Sequence, residues 1–134
     1  MTIKNTKYGM ERTVTLSYQE AIEKVTETLK AEGFGILTEI DVKATFKKKM
    51  DKDFIPYIIL GACNPPLAFK ALSEETDIGL LLPCNVVVRQ GSHEGETVIS
   101  AIDPMTLVAV TERDDLKGFA EEVQGKLNRA LEAI

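Results

Sequence analysis

The sequence has few residues of the types that build metal centres and disulfide frameworks. Its 134 residues include two cysteines and one histidine. Without a Cys-x-x-Cys spacing or a His-x-x-x-His pair, it has neither a zinc-ribbon or thioredoxin-type motif nor a histidine-rich metal centre. It also lacks the glycine-rich loops of nucleotide-binding proteins and the Gly-x-Ser-x-Gly elbow of serine hydrolases. These absences leave no sequence signature of a known reaction.

Basic charge and long apolar runs are also scarce. The 16 Lys and Arg residues are outnumbered by 21 Asp and Glu residues, which disfavours nucleic-acid binding because phosphate contacts need clustered basic side chains. The one basic cluster, between Lys43 and Lys52, is typical of a solvated helix face. No stretch approaches the ~20 apolar residues of a membrane span, and the first seven residues lack the apolar segment of a secretory signal. We therefore expect no nucleic-acid or membrane partner, and a cytoplasmic location with reduced cysteines.

The length and the 44% content of hydrophobic residues predict a single domain, 1–134, with its own core. Helix starts are indicated by the capping-box sequence at Ser17 to Glu20 and by Asn64-Pro65, and Gly33 is predicted to end the first helix. A long final helix from about Asp114 follows from a stripe of apolar residues at helical spacing. Alternation and apolar runs predict strands at 8–16, 35–42, 55–63, 80–90, 97–102 and 106–110.

This order of elements predicts an α+β fold, with helices packed on one face of a mostly antiparallel sheet. The segment 55–63 is nearly all apolar, which indicates a strand covered on both faces. A second copy of the chain would supply the cover that the helices do not give, so we expect a homodimer.

Cys63 and Cys84 are the candidate functional residues, and each precedes an asparagine and adjoins a proline or a Pro-containing helix start. Cys63 precedes the predicted helix start at Asn64-Pro65, where the partial positive charge of a helix N-terminus favours the thiolate of a nucleophile or metal ligand. The alternative is a buried structural cysteine followed by an ordinary helix cap. For Cys84, which begins a valine-rich strand, burial alone is a sufficient explanation.

Glu39 and Asp41 are candidate acid–base or ligand partners of the cysteines, because they lie on one side of a predicted strand that neighbours 55–63. The alternative interpretation is a solvated strand edge with Asp41 as a helix cap. His93 lies in the glycine-bounded connection 91–95, where a single histidine is typically solvated.

Two runs of the sequence resemble the bacterial and archaeal family catalogued as domain of unknown function 302. They are Gly61-Ala62-Cys63-Asn64-Pro65 and Gly79-Leu80-Leu81-Leu82-Pro83-Cys84-Asn85-Val86-Val87-Val88. The resemblance implies a dimer with an architecture similar to that of the TATA-binding protein, a β-α-β-β-β-β-α core with extra short helices. It also implies a shared pocket at the motif positions, which are Cys63, Asn64, Pro65, Pro83, Cys84 and Asn85.

Three functions are compatible with these observations. The first is a homodimeric domain that binds a small molecule, or a soft metal ion such as zinc or copper(I), in a pocket built around the two Cys-Asn pairs. The second is a thiol-dependent enzyme with Cys63 as nucleophile and Glu39 or Asp41 as proton acceptor. The third is an interaction or structural module with both cysteines in the core. The sequence does not identify a cofactor.

Overall fold

A computed structural model describes residues 3–134 as a six-stranded sheet with helices packed against it. None of the helices in this range is long and apolar enough to cross a bilayer. Two 3₁₀ helices, Thr76–Leu81 and Asp114–Leu116, complete the structure. The strands are β1 (Lys4–Asn5), β2 (Gly9–Val14), β3 (Gly35–Asp41), β4 (Tyr57–Cys63), β5 (Cys84–Gln90) and β6 (Thr97–Ile102), and the helices are α1 (Tyr18–Ala31), α2 (Val42–Met50), α3 (Pro65–Glu74), α4 (Pro104–Thr111) and α5 (Lys117–Glu132).

The sheet has the strand order β1-β2-β6-β5-β4-β3, and every neighbouring pair is antiparallel. Without the two-residue β1 and the short helices α2, α3 and α4, the chain reads β-α-β-β-β-β-α. The predicted α+β class and core order are therefore confirmed.

The first helix begins and ends where local chemistry predicts. The Glu20 amide donates to Ser17 Oγ, and the Ser17 amide donates to Glu20 Oε1, both at 3.1 Å. This reciprocal pair satisfies amides that the helix itself leaves without partners. After the helix, Gly33 has φ = 88°, a left-handed conformation that costs glycine little. The capping box and the stop at Gly33 are both confirmed.

Helices α1 and α5 cover one face of the sheet and form the core with it. Leu29 on α1 and Leu127 on α5 are fully buried against Leu60 and Ile99 of the sheet. Each such side chain contributes roughly 1.5–3 kcal/mol by leaving water. The apolar stripe predicted for the last helix is confirmed, and its buried members on α5 are Ala120, Val123, Leu127, Ala130 and Leu131.

Arg12 interrupts the apolar pattern of β2, yet it lies on the buried face with only 6% of its surface exposed. Its Nη1 donates to the carbonyl oxygens of Leu131 at 2.7 Å and of Glu132 at 2.9 Å. The last carbonyls of a helix have no partner within the helix, so Arg12 satisfies them and joins α5 to the sheet.

The opposite face of the sheet is less well covered. Ile40 is 49% exposed, while Ile59 and Val87, the residues that follow it across the sheet, are half-buried. The expectation that 55–63 is covered on both faces therefore holds within one chain only for the face that packs on the helices.

Two of the predicted strand ranges are wrong. Residues 106–110 belong to helix α4, which begins when Asp103 Oδ1 accepts a hydrogen bond from the Met105 amide at 2.9 Å. Most of α4 is apolar on every side, and such a segment cannot be distinguished from a strand by periodicity. In 80–90 the first residues belong to the 3₁₀ helix, and the strand starts only at Cys84.

Strand β3 contains a bulge that the simple alternation did not anticipate. Ile36 is paired with Ala62, whereas Thr38 is paired with Gly61, so Leu37 is an extra residue. Because Ala62 and Gly61 point to opposite faces, Ile36 and Thr38 do so as well. Regular alternation along the predicted strand 35–42 would put Ile36 on the same face as Thr38 and Ile40, and the bulge puts it on the other face.

Candidate functional site

The sheet register brings the two Cys-Asn pairs to the same end of the sheet. Cys63 is the last residue of β4 and Cys84 is the first residue of β5. The two strands are antiparallel neighbours, and Ala62 is paired directly with Cys84. Two motifs that are separated by a helix and a 3₁₀ helix in sequence thus become adjacent.

A cavity of about 340 Å³ opens at this end of the sheet, and both cysteines line it. Its walls come from the ends of β3, β4 and β5, from α3 with the 3₁₀ helix that follows, and from α4 and α5. No charged residue or histidine lines it among residues 3–134. Representative apolar lining residues are Leu67, Ala71, Leu107, Val108, Phe119 and Val123.

The two thiols have different environments within this cavity. Both cysteines are free; Cys84 is 8% exposed and Cys63 is half-buried. Burial raises the pKa of the Cys84 thiol from its ordinary value of 9.0 to about 11, and the neighbouring charge of Cys63 adds to the increase. At neutral pH Cys84 is a neutral, weakly polar group on an apolar wall.

Asn64 lines the cavity, but both ends of its amide are engaged in the fold. Its Oδ1 accepts from the Leu67 amide at 3.4 Å and caps α3, while its Nδ2 donates to the carbonyl oxygen of Glu32 at 3.3 Å. Pro65 is the first residue of α3 and does not line the cavity. The Asn64-Pro65 pair therefore positions the helix start directly after Cys63.

The other predicted site residues lie elsewhere. Asn85 is paired with Gly61 and is exposed. It follows the buried Cys84, and successive residues of a strand point to opposite faces of the sheet. Glu39 and Asp41 are exposed, and Asp41 Oδ1 accepts from the Ala44 amide at 2.9 Å to cap α2. Glu39 is paired with Leu60, three residues from Cys63, which is about 10 Å along a strand.

Several cavity residues were missed by the sequence reasoning. Leu107 and Val108 were assigned to a strand, although Asp103-Pro104 has the same cap-then-proline pattern that was used to predict α3. That pattern was the signal available for α4. Phe34 and Leu37 also line the cavity, and Leu37 is the extra residue of a bulge that has no local sequence signature.

The described residues do not assemble a metal centre of the usual kind. No group of three or more His, Cys, Asp and Glu side chains is close enough to hold an ion in the range 3–134. His93 lies in the connection between β5 and β6, on a loop separate from the cavity lining. Within the described part of the chain, Cys63 and Cys84 are the only cysteine, histidine, aspartate or glutamate residues that line the cavity.

Comparison with known proteins places the chain in a family. A crystal structure of an uncharacterised conserved DUF302 protein from Bacillus stearothermophilus is similar, with 33% sequence identity and a TM-score of 0.87 over 96% of this chain and 98% of that one. No match was found among curated proteins. The sequence profile described as domain of unknown function DUF302 matches residues 10–134. The chain therefore belongs to the DUF302 family.

Proposed function

We propose that this chain is a binding domain for a small, predominantly apolar molecule, which occupies the cavity at the end of the sheet. The observation that supports this proposal is the cavity itself, with a volume of about 340 Å³ and a lining of aliphatic, aromatic and thiol groups. Small-molecule sites in proteins have volumes of roughly 300–1,000 Å³ and largely apolar walls.

The lining also indicates which ligands fit. A carboxylate or phosphate buried in the cavity would have no charged partner there, and an unpaired buried charge is costly. Apolar carbon groups, in contrast, gain about 0.8 kcal/mol for each methylene removed from water. The ligand class is therefore an aliphatic or aromatic compound with at most one weakly polar group.

Titration with a series of primary alcohols, from 1-hexanol to 1-decanol, tests this proposal by calorimetry or by the shift in Tm. Affinity should rise roughly fourfold for each added methylene until the cavity is full. Ala68→Phe, which fills the cavity from α3, should weaken binding at least tenfold. The matched control is Ala44→Phe on the exposed side of α2. No saturable binding by the wild type, or equal binding by Ala68→Phe, would contradict the proposal.

We also propose that the chain forms a homodimer through the less covered face of the sheet. The apolar row Ile40, Ile59 and Val87 crosses this face, and Glu11 and Arg89 lie on it as charges of opposite sign. A two-fold axis places each surface against its own copy, so a face with both signs can be self-complementary. Five strands of six or seven residues and the two-residue β1 give this face an area of roughly 500 Å² per chain. That area is below the ~800 Å² per partner of a standard interface.

A dimer of this size should dissociate on dilution, and sedimentation velocity over a range of concentrations would detect it. Val87→Lys places a charge in the centre of the face and should make the chain monomeric. Ser92→Lys, in the exposed connection between β5 and β6, is the control with the same charge change. A wild type that is monomeric at high concentration, or a Val87→Lys variant that still dimerises, would contradict the dimer.

The soft-metal version of the binding hypothesis is a second candidate, supported by the two thiols at one cavity. Cys63 and Cys84 alone would suit a low-coordinate copper(I) ion better than zinc, which takes four ligands in structural sites. The raised pKa of Cys84, about 11, works against this candidate because a ligating thiol must lose its proton. Copper bound by wild type and lost in Cys63→Ser/Cys84→Ser would support it.

The thiol-enzyme alternative has less support. Cys63 does lie directly before the N-terminus of α3, but Glu39 and Asp41, the predicted proton acceptors, do not line the cavity. A cysteine nucleophile needs a base or another activating group beside it. Labelling of Cys63 by a thiol reagent faster than a free cysteine at neutral pH would favour the enzyme.

We infer that the chain does not use its sheet to bind nucleic acid, although its element order agrees with the one expected for an architecture similar to the TATA-binding protein. The net charge of −5 opposes contact with phosphates. The two free thiols support a reducing compartment such as the cytoplasm.

A further inference from the structure

One wall of the cavity packs only lightly on the rest of the molecule. This wall is residues 65–82, here named the covering segment, and it consists of α3, Glu75, the 3₁₀ helix and Leu82. Ala71 is the only buried residue of α3, and the 3₁₀ helix buries none. Helix α5 on the opposite wall buries five residues. The covering segment therefore has much less apolar burial to hold it in place.

The start of the covering segment is anchored to the end of α1, and its end is anchored to the sheet. At its start, Asn64 Nδ2 donates to the carbonyl oxygen of Glu32 at 3.3 Å. At its end, Pro83 packs on Gly61 so closely that a Cβ on Gly61 would lie 2.8 Å from Pro83 Cγ. Motion of the segment is thus confined to the part between these two anchors.

The middle of the covering segment is held by an ion pair to Arg113, which lies between α4 and the second 3₁₀ helix. Glu75 lies at the junction of α3 and the 3₁₀ helix, and its Oε2 is 3.1 Å from Arg113 Nη1. The same nitrogen donates to the carbonyl oxygen of Glu74 at 3.1 Å. Arg113 follows α4, which supplies Leu107 and Val108 to the cavity. The contact therefore joins the covering segment to the chain that follows α4, and neither of the two charged side chains lines the cavity.

Arg113 is itself oriented by a second carboxylate. Its Nη2 is 2.6 Å from Asp115 Oδ2 and its Nε is 3.1 Å from Asp115 Oδ1, a bidentate arrangement. Two parallel charge-assisted hydrogen bonds fix the plane of a guanidinium. The Arg113 side chain is 29% exposed, and its contact with Asp115 positions it for Glu75. Its ion pair with Glu75 therefore differs from a lone surface ion pair, which contributes little to stability.

We propose that the covering segment opens and closes over the cavity, and that Arg113 is the positioning residue that holds it closed through Glu75. As far as a ligand is concerned, this rests on the binding function proposed above, because opening of the segment widens the path to the cavity. The opening itself does not depend on a ligand, and it is measurable in the free protein.

Cys84 reports the opening, because it lines the cavity and is 8% exposed. In a Cys63→Ser background, its reaction with N-ethylmaleimide is followed by intact mass. Arg113→Ala should accelerate labelling roughly two- to fivefold, the upper part of the range for an ion pair at the protein surface. The control is Lys47→Ala on α2, away from the cavity lining. It breaks exposed ion pairs to Asp51 and Asp53 and should change the rate less than twofold.

Two further measurements protect the test against misfolding and against failure of the binding proposal. Glu75→Gln keeps the size of the side chain and the Arg113–Asp115 pair, so it should accelerate labelling as Arg113→Ala does while the urea midpoint stays close to that of wild type. Salt at about 0.5 M should accelerate labelling of the wild type but not of Arg113→Ala.

Wild-type labelling rates in both folded variants would overturn the proposal. If 1-octanol fails to slow Cys84 labelling while both variants accelerate it, the binding function is contradicted and the closure by Arg113 stands.

Discussion

Arg12 and Leu131 connect the second strand to the end of the last helix, because Arg12 Nη1 donates a hydrogen bond to the Leu131 carbonyl oxygen at 2.7 Å. The guanidinium also contacts the Glu132 carbonyl oxygen. A cation at a helix C-terminus interacts favourably with the helix dipole as well as with the free carbonyls. This buried contact makes the polar residue in β2 a structural element of the core.

Replacement of Arg12 by methionine keeps most of the side-chain volume and removes the charged donor to the carbonyl oxygens of Leu131 and Glu132. We expect the free energy of unfolding to fall by about 2–4 kcal/mol, the range for lost hydrogen bonds to a buried charged group. Urea unfolding measures it. Arg129→Met removes an exposed ion pair to Glu32 and should cost less than about 1 kcal/mol. Equal effects of the two variants would contradict the role assigned to Arg12.

Asn64 should prove to be a structural residue of the site. Asn64→Ala removes the cap of α3 and the contact with Glu32, and we expect a loss of about 1–2 kcal/mol. Asn64→Asp retains the capping oxygen but cannot donate to the Glu32 carbonyl, so its loss should be intermediate. Asn128→Ala on the exposed side of α5 is the control. If Asn64→Asp were as stable as wild type, the Glu32 contact would have no energetic role.

The raised pKa of Cys84 predicts a loss of stability at alkaline pH. The thiol has a pKa of about 11 in the folded chain and an ordinary value of 9.0, so the folded state prefers the protonated form. The contribution is complete below pH 9, is lost as the pH rises from 9 to about 11, and amounts to about 3 kcal/mol at 1.36 kcal/mol per pKa unit.

Urea unfolding of wild type and Cys84→Ala across this pH range checks the sign and the size of the effect. The difference between the two curves should fall steadily above pH 9, because only wild type carries the thiol. Cys63→Ala is the matched control for removal of a cysteine from the same cavity. Parallel curves for wild type and Cys84→Ala would show that burial of Cys84 does not disfavour its thiolate.

Gly61 allows Pro83 and Thr38 to approach the sheet at the edge of the cavity. A Cβ at this position would contact Thr38 Oγ1 and lie 2.8 Å from Pro83 Cγ. We expect Gly61→Ala to destabilise the chain by about 1–3 kcal/mol, as overpacking does, and Thr38→Ala to restore part of the loss. Gly35→Ala on β3 adds a methyl group with no atom within 4 Å and should be nearly neutral. A neutral Gly61→Ala would show that the anchor at Pro83 is loose.

Features that depend on neighbouring residues could be predicted from the sequence. The capping box at Ser17, the stop at Gly33 and the buried stripe of α5 were all predictable, because caps and helical periodicity act over three or four residues. The α+β class followed from the order of these elements. Cys63 was correctly placed at the end of a strand, whereas the strand of Cys84 was predicted from Leu80 and starts at Cys84. The resemblance to the DUF302 family was confirmed.

Which of the candidate residues share a site became clear only from the folded chain. The pairing of Ala62 with Cys84 brings both thiols to one cavity, and the same register directs Asn85 to the opposite face. The bulge at Leu37 and the helix at 104–111 form other parts of the cavity wall, and neither was predicted. Strand register and the docking of apolar helices depend on contacts between residues far apart in sequence, and a shift of one residue reverses which face a side chain occupies.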